Sequence, residues 1–173
     1  MKPLKKKKRE RFLSARAILF WSFGLLGLLF FLIPAVQAES RYWVASSASN
    51  WNSTSNWSTI SAGSGGSSVP GSSDDVYFDS ARVGNCGIDV TVNVNSISIS
   101  GYTGTITQQT GITITITTNF SQSSGTFAGG DSAIDINGNF SLSGGTFTST
   151  TWVLSVAGNW THPSAGTFSH NSG

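Results

Sequence analysis

Apolar residues in the second half of the chain recur on two beats at once. The short beat is two: Ile134 and Ile136 flank Asp135, Phe140 and Leu142 flank Ser141, and Phe147 stands between threonines. Such alternation predicts β-strands, because successive strand side chains point to opposite faces. The long beat is twenty. Asn119, Asn139 and Asn159 are 20 apart, as are Phe120, Phe140 and Trp160. Ile114, Ile134 and Leu154 keep the same step, and so do Ile116, Ile136 and Val156. Phe127 and Phe147 follow at 20, while Phe168 slips to 21 beside Pro163, as an inserted corner residue would cause. Backwards, Ile99, Gly104 and Ile106 match Phe120, Gly125 and Phe127 at a step of 21, making nearly four copies from about residue 90.

Three short strands per lap, separated by Gly, Asn and Ser turns, predict an all-β fold: a parallel β-helix of about 20 residues per coil. Each lap lies about 4.8 Å beyond the previous one, so like side chains meet inside the coil. The Asn column fits as a ladder of side-chain amides or as corner residues in the left-handed conformation. The same asparagines head glycosylation sequons, as do Asn52 and Asn56; identical spacing at a stacking station favours the structural role. Leucine-rich repeats lack their leucines here, and an immunoglobulin-like sandwich would not repeat interior identities at a constant interval.

The first forty residues follow neither beat. Residues 1–16 carry eight of the ten basic side chains, and residues 17–33 (AILFWSFGLLGLLFFLI) carry no charge. Pro34 and the small residues 35–38 (AVQA) complete a secretory pattern with cleavage after Ala38. Residues 1–38 are thus expected to form a signal peptide. The alternative is an uncleaved membrane anchor through residues 17–33 with its basic end in the cytoplasm.

Residues 39–80 are Trp-rich and off the 20-residue beat: RYWVASSASNWNSTSNWSTI, a flexible SAGSGGSS, then VPGSSDDVYFDS. They are expected to form an N-terminal cap whose Trp43, Trp51 and Trp57 lie over the first coil and cover its open edges. Carbohydrate binding through those three indoles is the functional alternative. Residues 81–173 are then the coils, expected to continue in the natural protein because the last repeat lacks an atypical, polar terminal form. An uncovered edge there would invite end-to-end self-association.

Beyond residue 38 only Arg41 and Arg82 are basic against seven acidic side chains, a net −5 without any lysine. That balance argues against nucleic-acid binding, which needs clustered Lys and Arg. Cys86 is the sole cysteine, so no internal disulfide forms. Asp131 and Asp135 share one lap, but Asp135 is flanked at 20 residues by Thr115 and Ser155, so no carboxylate column arises. Gly129-Gly130-Asp131 matches a calcium-binding glycine-rich repeat only faintly. Asp74, Asp75 and Asp79 suit turn capping better than Ca²⁺. His162 and His170 have no partner at consistent spacing. No catalytic residue, metal site or cofactor is predicted.

The RYWV…NWN…NWS…VPGSSDDVYFD opening followed by GNFSLSGGTF-type laps resembles secreted bacterial repeat proteins, the β-helical autotransporter passengers and filamentous-haemagglutinin-like adhesins. The resemblance implies export, a right-handed parallel β-helix and an extracellular or cell-surface life, and brings no catalytic motif. A non-enzymatic scaffold or adhesin meeting glycans or other surface molecules is therefore expected, touching membrane only through the N-terminal segment. The alternative is the first part of a polysaccharide-active β-helix enzyme whose catalytic coils lie downstream.

Overall fold

The computed structural model describes residues 38–172. The expected signal or anchor segment lies outside the described residues. The rest is all-β with almost no helix, a parallel β-solenoid of about five turns with roughly 21 residues per turn.

Each complete turn contributes one strand to each of three sheets. The first is formed by β4 (Asp75–Phe78), β5 (Cys86–Ile88) and β6 (Val92–Val94). The second has β7 (Ser96–Ile99), β8 (Thr105–Gln108) and β9 (Ile114–Ile116). The third has β10 (Phe120–Gln122), β11 (Thr126–Ala128) and β12 (Ile134–Ile136), and the fourth has β13 (Phe140–Leu142), β14 (Thr146–Thr148) and β15 (Leu154–Val156). A last partial turn adds β16 (Trp160–Thr161) and β17 (Thr167–Ser169). Every pairing among these strands is parallel and joins equivalent strands of adjacent laps.

Because successive laps are in register, period-two alternation becomes columns. Phe120 stands opposite Phe140 and Phe140 opposite Trp160, with ring centroids 5.4 and 4.1 Å apart and planes within 5° and 18°. Phe127, Phe147 and Phe168 form the second aromatic column, at 4.9 and 5.9 Å. The two columns meet edge-on, Phe140 against Phe147 at 5.0 Å and 81°, the geometry that the ring quadrupole favours. Ile116, Ile136 and Val156 line the third wall.

One register differs from the sequence expectation. Phe120 rests on Ile97, not Ile99, which lies instead beneath Gln122. The corner between β7 and β8 (100–104) is longer than its counterpart between β10 and β11 (123–125) by two residues. Ile106 still meets Phe127. An offset of two leaves every side chain on the same face, so the interior stays apolar.

The Trp-rich segment divides. Residues 40–50 hold strands β1 (Ser40–Trp43) and β2 (Ser49–Asn50), which extend two of the sheets in parallel: Tyr42 opposite Tyr77, Ser49 opposite Cys86. A single 3₁₀ turn (Thr54–Asn56) then leads into β3 (Trp57–Ser58), which returns antiparallel along β1 and ends that sheet. Residues 75–78, placed by sequence with the cap, are the first strand of a complete lap. The Gly/Ser stretch expected to be flexible is docked, Gly66 N–H donating to the Thr54 carbonyl at 2.9 Å and Ser67 N–H to Trp57 at 3.0 Å.

Candidate functional site

The solenoid offers four places where chemistry could sit: the outward columns, the carboxylates at the N-terminal end, the buried polar residues at the corners, and the uncovered face of the last lap.

Outward stations repeat as faithfully as inward ones. The sheet of β2, β5, β8, β11, β14 and β17 presents Thr105, Thr126, Thr146 and Thr167 in one column and Thr107, Ala128, Thr148 and Ser169 in the next. On the sheet of β1, β3, β4, β7, β10, β13 and β16 an outward column runs Asp75, Ser96, Asn119, Asn139, Asn159. Its rungs are not a simple amide-to-amide ladder. The Asn119 side-chain oxygen accepts from both the backbone N–H and the side-chain amide of Asn139, each at 3.0 Å. Asn139 in turn accepts from the backbone N–H of Asn159 at 2.8 Å. Nor do these asparagines take the left-handed conformation. Among the described residues that falls to Ala62, Ser172 and five glycines, including Gly125 before Thr126-Phe127 and Gly145 before Thr146-Phe147.

Trp43, Trp51 and Trp57 are 1%, 1% and 0% exposed, so none has a face free for a sugar. They close around Phe78 with centroids 5.8–6.2 Å from it. The Trp43 indole N–H donates to the Gly84 carbonyl and that of Trp57 to the Trp51 carbonyl, both at 2.7 Å. Burial of a tryptophan needs such a partner for its ring nitrogen. Their place is structural, and the carbohydrate-binding alternative for them falls.

Carboxylates in this region are engaged by the fold. Asp74 accepts from Gly71 N–H at 2.8 Å and lies 3.7 Å from the buried Arg41 guanidinium, which also bonds Glu39 at 2.6 Å. Arg41 occupies an interior station, opposite Val76, so the N-terminal end of the apolar column finishes on a paired charge. Asp75 accepts from Asn95 and Ser96, and Asp79 from Ala81 N–H and the Ser61 hydroxyl. Asp131 takes Gly111 N–H at 2.8 Å, and Asp135 lies between Thr115 and Ser155. Among the described residues no group of three or more His, Cys, Asp or Glu could hold a metal ion.

Two interior residues escaped the sequence reading. Gln108 and Gln122 are 2% and 1% exposed at inward stations. The Gln108 amide donates to Ile112 and Ser132 carbonyls and accepts from Gly130 N–H; Gln122 donates to the Ser124, Gly125 and Thr146 carbonyls. They bind carbonyls in and beside the corners, that of Gly125 also accepting the N–H of Thr146. The available signal was their parity, two residues after Ile106 and Phe120. His162, stacked over Leu142 and Gln122, bonds the Gly166 carbonyl at 2.9 Å in the equivalent corner. His170 is exposed and accepts from Ser172 N–H.

Cys86 is buried, and burial, with Asp89 nearby, pushes its thiol well above the ordinary value, so the reactive thiolate is disfavoured. Tyr102 is raised in the same way, its hydroxyl buried against the Gly84 carbonyl at 2.6 Å. Among the described residues no helix is long and apolar enough to cross a membrane. No protein-family model matches the chain, and no curated protein or solved structure is significantly similar to it.

Proposed function

We propose that this chain is an exported, non-enzymatic scaffold of the cell surface or extracellular space, adhesin-like in kind, and similar in plan to autotransporter passengers. Its N-terminal segment directs export, β3 and the buried tryptophans close the N-terminal end of the coil, and the coil is right-handed, as parallel crossovers overwhelmingly are. The observation that supports the reading is the repetition of uncharged outward stations, above all the threonine column 105, 126, 146, 167. Stations about 4.8 Å apart along one axis offer many weak, identical contacts, which suit the hydroxyl-rich surfaces of glycans and gain through multivalency. The lysine-free, acidic composition beyond residue 38 turns nucleic acid away.

The test is to express the full chain in a bacterium and fractionate the cells. Export predicts protease accessibility from outside the cytoplasm and, with cleavage, a mature N-terminus at Glu39. Retention in the cytosol with Met1 intact would overturn the proposal. Glycan-array binding that weakens when Thr126 and Thr146 are replaced by Lys would tie the contacts to that face.

A further inference from the structure

Beside the first strand the fold gathers one acid more than it pairs. Asp74 is 7% exposed, and among the described residues its carboxylate takes hydrogen bonds only from backbone, Gly71 N–H at 2.8 Å and Glu39 N–H at 3.3 Å. The cation in reach, Arg41, is engaged elsewhere. Its terminal nitrogens donate to the Glu39 carboxylate at 2.6 Å, the Ser40 carbonyl and the Ser68 hydroxyl. Its Nε is buried without an acceptor among the described residues and lies 3.7 Å from Asp74, near enough for an ion pair but not for a hydrogen bond. One guanidinium thus stands against two carboxylates, which leaves a local sum of −1. A buried carboxylate so weakly offset is costly.

We infer that Asp74 is the receptor for the α-ammonium group that cleavage after Ala38 creates at Glu39. Hydrolysis of the Ala38–Glu39 bond consumes one water; Ala38 leaves as a carboxylate and Glu39 keeps –NH₃⁺. The nitrogen already donates to Asp74, so the new charge arises at the carboxylate without any movement of the chain. It brings the local sum to zero and turns a neutral amide bond into a charge-assisted one. The strand itself is undisturbed: the Glu39 carbonyl accepts from Asp75 N–H at 3.0 Å, and Ser40–Tyr42 stay paired with Asp75–Tyr77. The other groups facing the site are the Glu39 carboxylate, Arg41, the phenols of Tyr42 and Tyr77 on the paired strands, and Asp75, whose carboxylate is turned to Asn95 and Ser96. A cut one residue earlier leaves the charge on Ala38, short of Asp74. The geometry therefore favours one processed end and fastens it to the first lap.

The pairing presupposes the cleavage proposed above, and two measurements separate them. The first is the N-terminus of the chain recovered from exporting cells, where Met1 refutes the cleavage alone. The second decides the pairing whichever end the cells deliver. Residues 35–38 of the full chain are replaced by the recognition sequence of a protease that cuts directly before Glu39, and the purified chain is cut. No lysine lies beyond residue 38, so the α-amine of the product is its only amine. Reductive dimethylation with ¹³C-formaldehyde labels it alone and keeps its charge and one N–H donor. Its NMR titration should give a pKa at least about one unit above that of the same chain in urea, where an α-amine titrates at about 7.7–8.0. The pairing is then complete below that range, and its stabilisation is lost as pH rises through the raised value. Asp74→Asn should remove most of the rise, and so should moving the cut to just before Ala38, the comparison that stands if Asp74→Asn fails to fold. An ordinary pKa in the folded product overturns the inference, as does loss of the fold on cutting, a rise that Asp74→Asn leaves in place, or an equal rise with the cut before Ala38.

Discussion

Phe140→Ala is the sharpest test of a fold held by stacked laps. Phe140 is 0% exposed and touches aromatic rings on four sides: Phe120 below at 5.4 Å, Trp160 above at 4.1 Å, Phe147 edge-on at 5.0 Å and Phe168 at 6.5 Å. Both neighbouring laps are pinned by parallel strands, so the hole cannot collapse freely. Truncation should therefore cost about 3–5 kcal/mol, the range for a buried Phe, a large part of the roughly 5–15 kcal/mol that a domain possesses. Trp160→Ala is the internal control. Its side chain is larger but 45% exposed and packed from one side, so about 1–2 kcal/mol is expected from the area it hides. Urea unfolding followed by far-ultraviolet circular dichroism gives both numbers, provided that the denaturant slope is unchanged. A double-mutant cycle between Phe120 and Phe140 should add a coupling of about 0.5–1.5 kcal/mol for the stacked pair. Equal costs at positions 140 and 160, or a Phe140→Ala cost below about 1 kcal/mol, would refute in-register stacking as the source of stability.

Trp51→Ala should lower stability by about 3–5 kcal/mol by emptying the cluster around Phe78; glycan affinity lost with an unchanged melting temperature would contradict its burial. Gly145 has φ +74°, and a Cβ there would stand 2.5 Å from the Gly125 carbonyl oxygen. Gly145→Ala should cost about 2 kcal/mol or more from conformation and clash together, and melting within a degree of the parent would refute this. Stability should also fall on the alkaline side. Cys86 and Tyr102 are both raised in the folded chain, so the neutral forms stabilise it fully below their ordinary values of 9.0 and 10.0. Above pH 9.0 the unfolded chain loses the Cys proton first, and the melting temperature should drop progressively. Cys86→Ala should move the onset of that decline to about pH 10.0, where Tyr102 takes over. An alkaline limb identical in Cys86→Ala and parent would exclude the thiol as its cause.

What the sequence discloses about this molecule follows from which positions a lap constrains. Interior stations must match the lap above and below, so Ile134, Phe140 and Phe147 repeat and can be aligned by eye. Corners need only turn the chain and return it in phase. They absorb insertions, two residues at 100–104 and one beside Pro163, and so hide the lap 75–94 behind a changing interval. The partial lap 40–50 was harder still, because 24 residues separate Asn50 from Asp75 where a corner would ordinarily stand. Polar side chains turned inward, Gln108 and Gln122, break the apolar rule that exposes the beat, and Arg41 does so at the end of a column. Their logic lies across laps: the glutamines hydrogen-bond partners 24 residues on, Ser132 and Thr146, and Arg41 forms an ion pair with Asp74, 33 residues on.

The same reasoning explains why function was less legible than fold. An outward threonine or asparagine is free of the packing that fixes Phe140, so a column kept outside is kept for a reason other than the core. For Asn119 and Asn139 part of that reason is local, since each side-chain oxygen accepts the next lap's backbone N–H. The outward threonines at 126 and 146 hold no side-chain hydrogen bond of that kind to account for them. Under the proposed function that column is the surface a partner would contact. A binding partner that reads that column should lose affinity in steps as Thr105, Thr126, Thr146 and Thr167 are replaced one after another. Stepwise loss identifies a multivalent surface, whereas abolition by a single replacement identifies one localised site and would refute the repeated-contact mechanism.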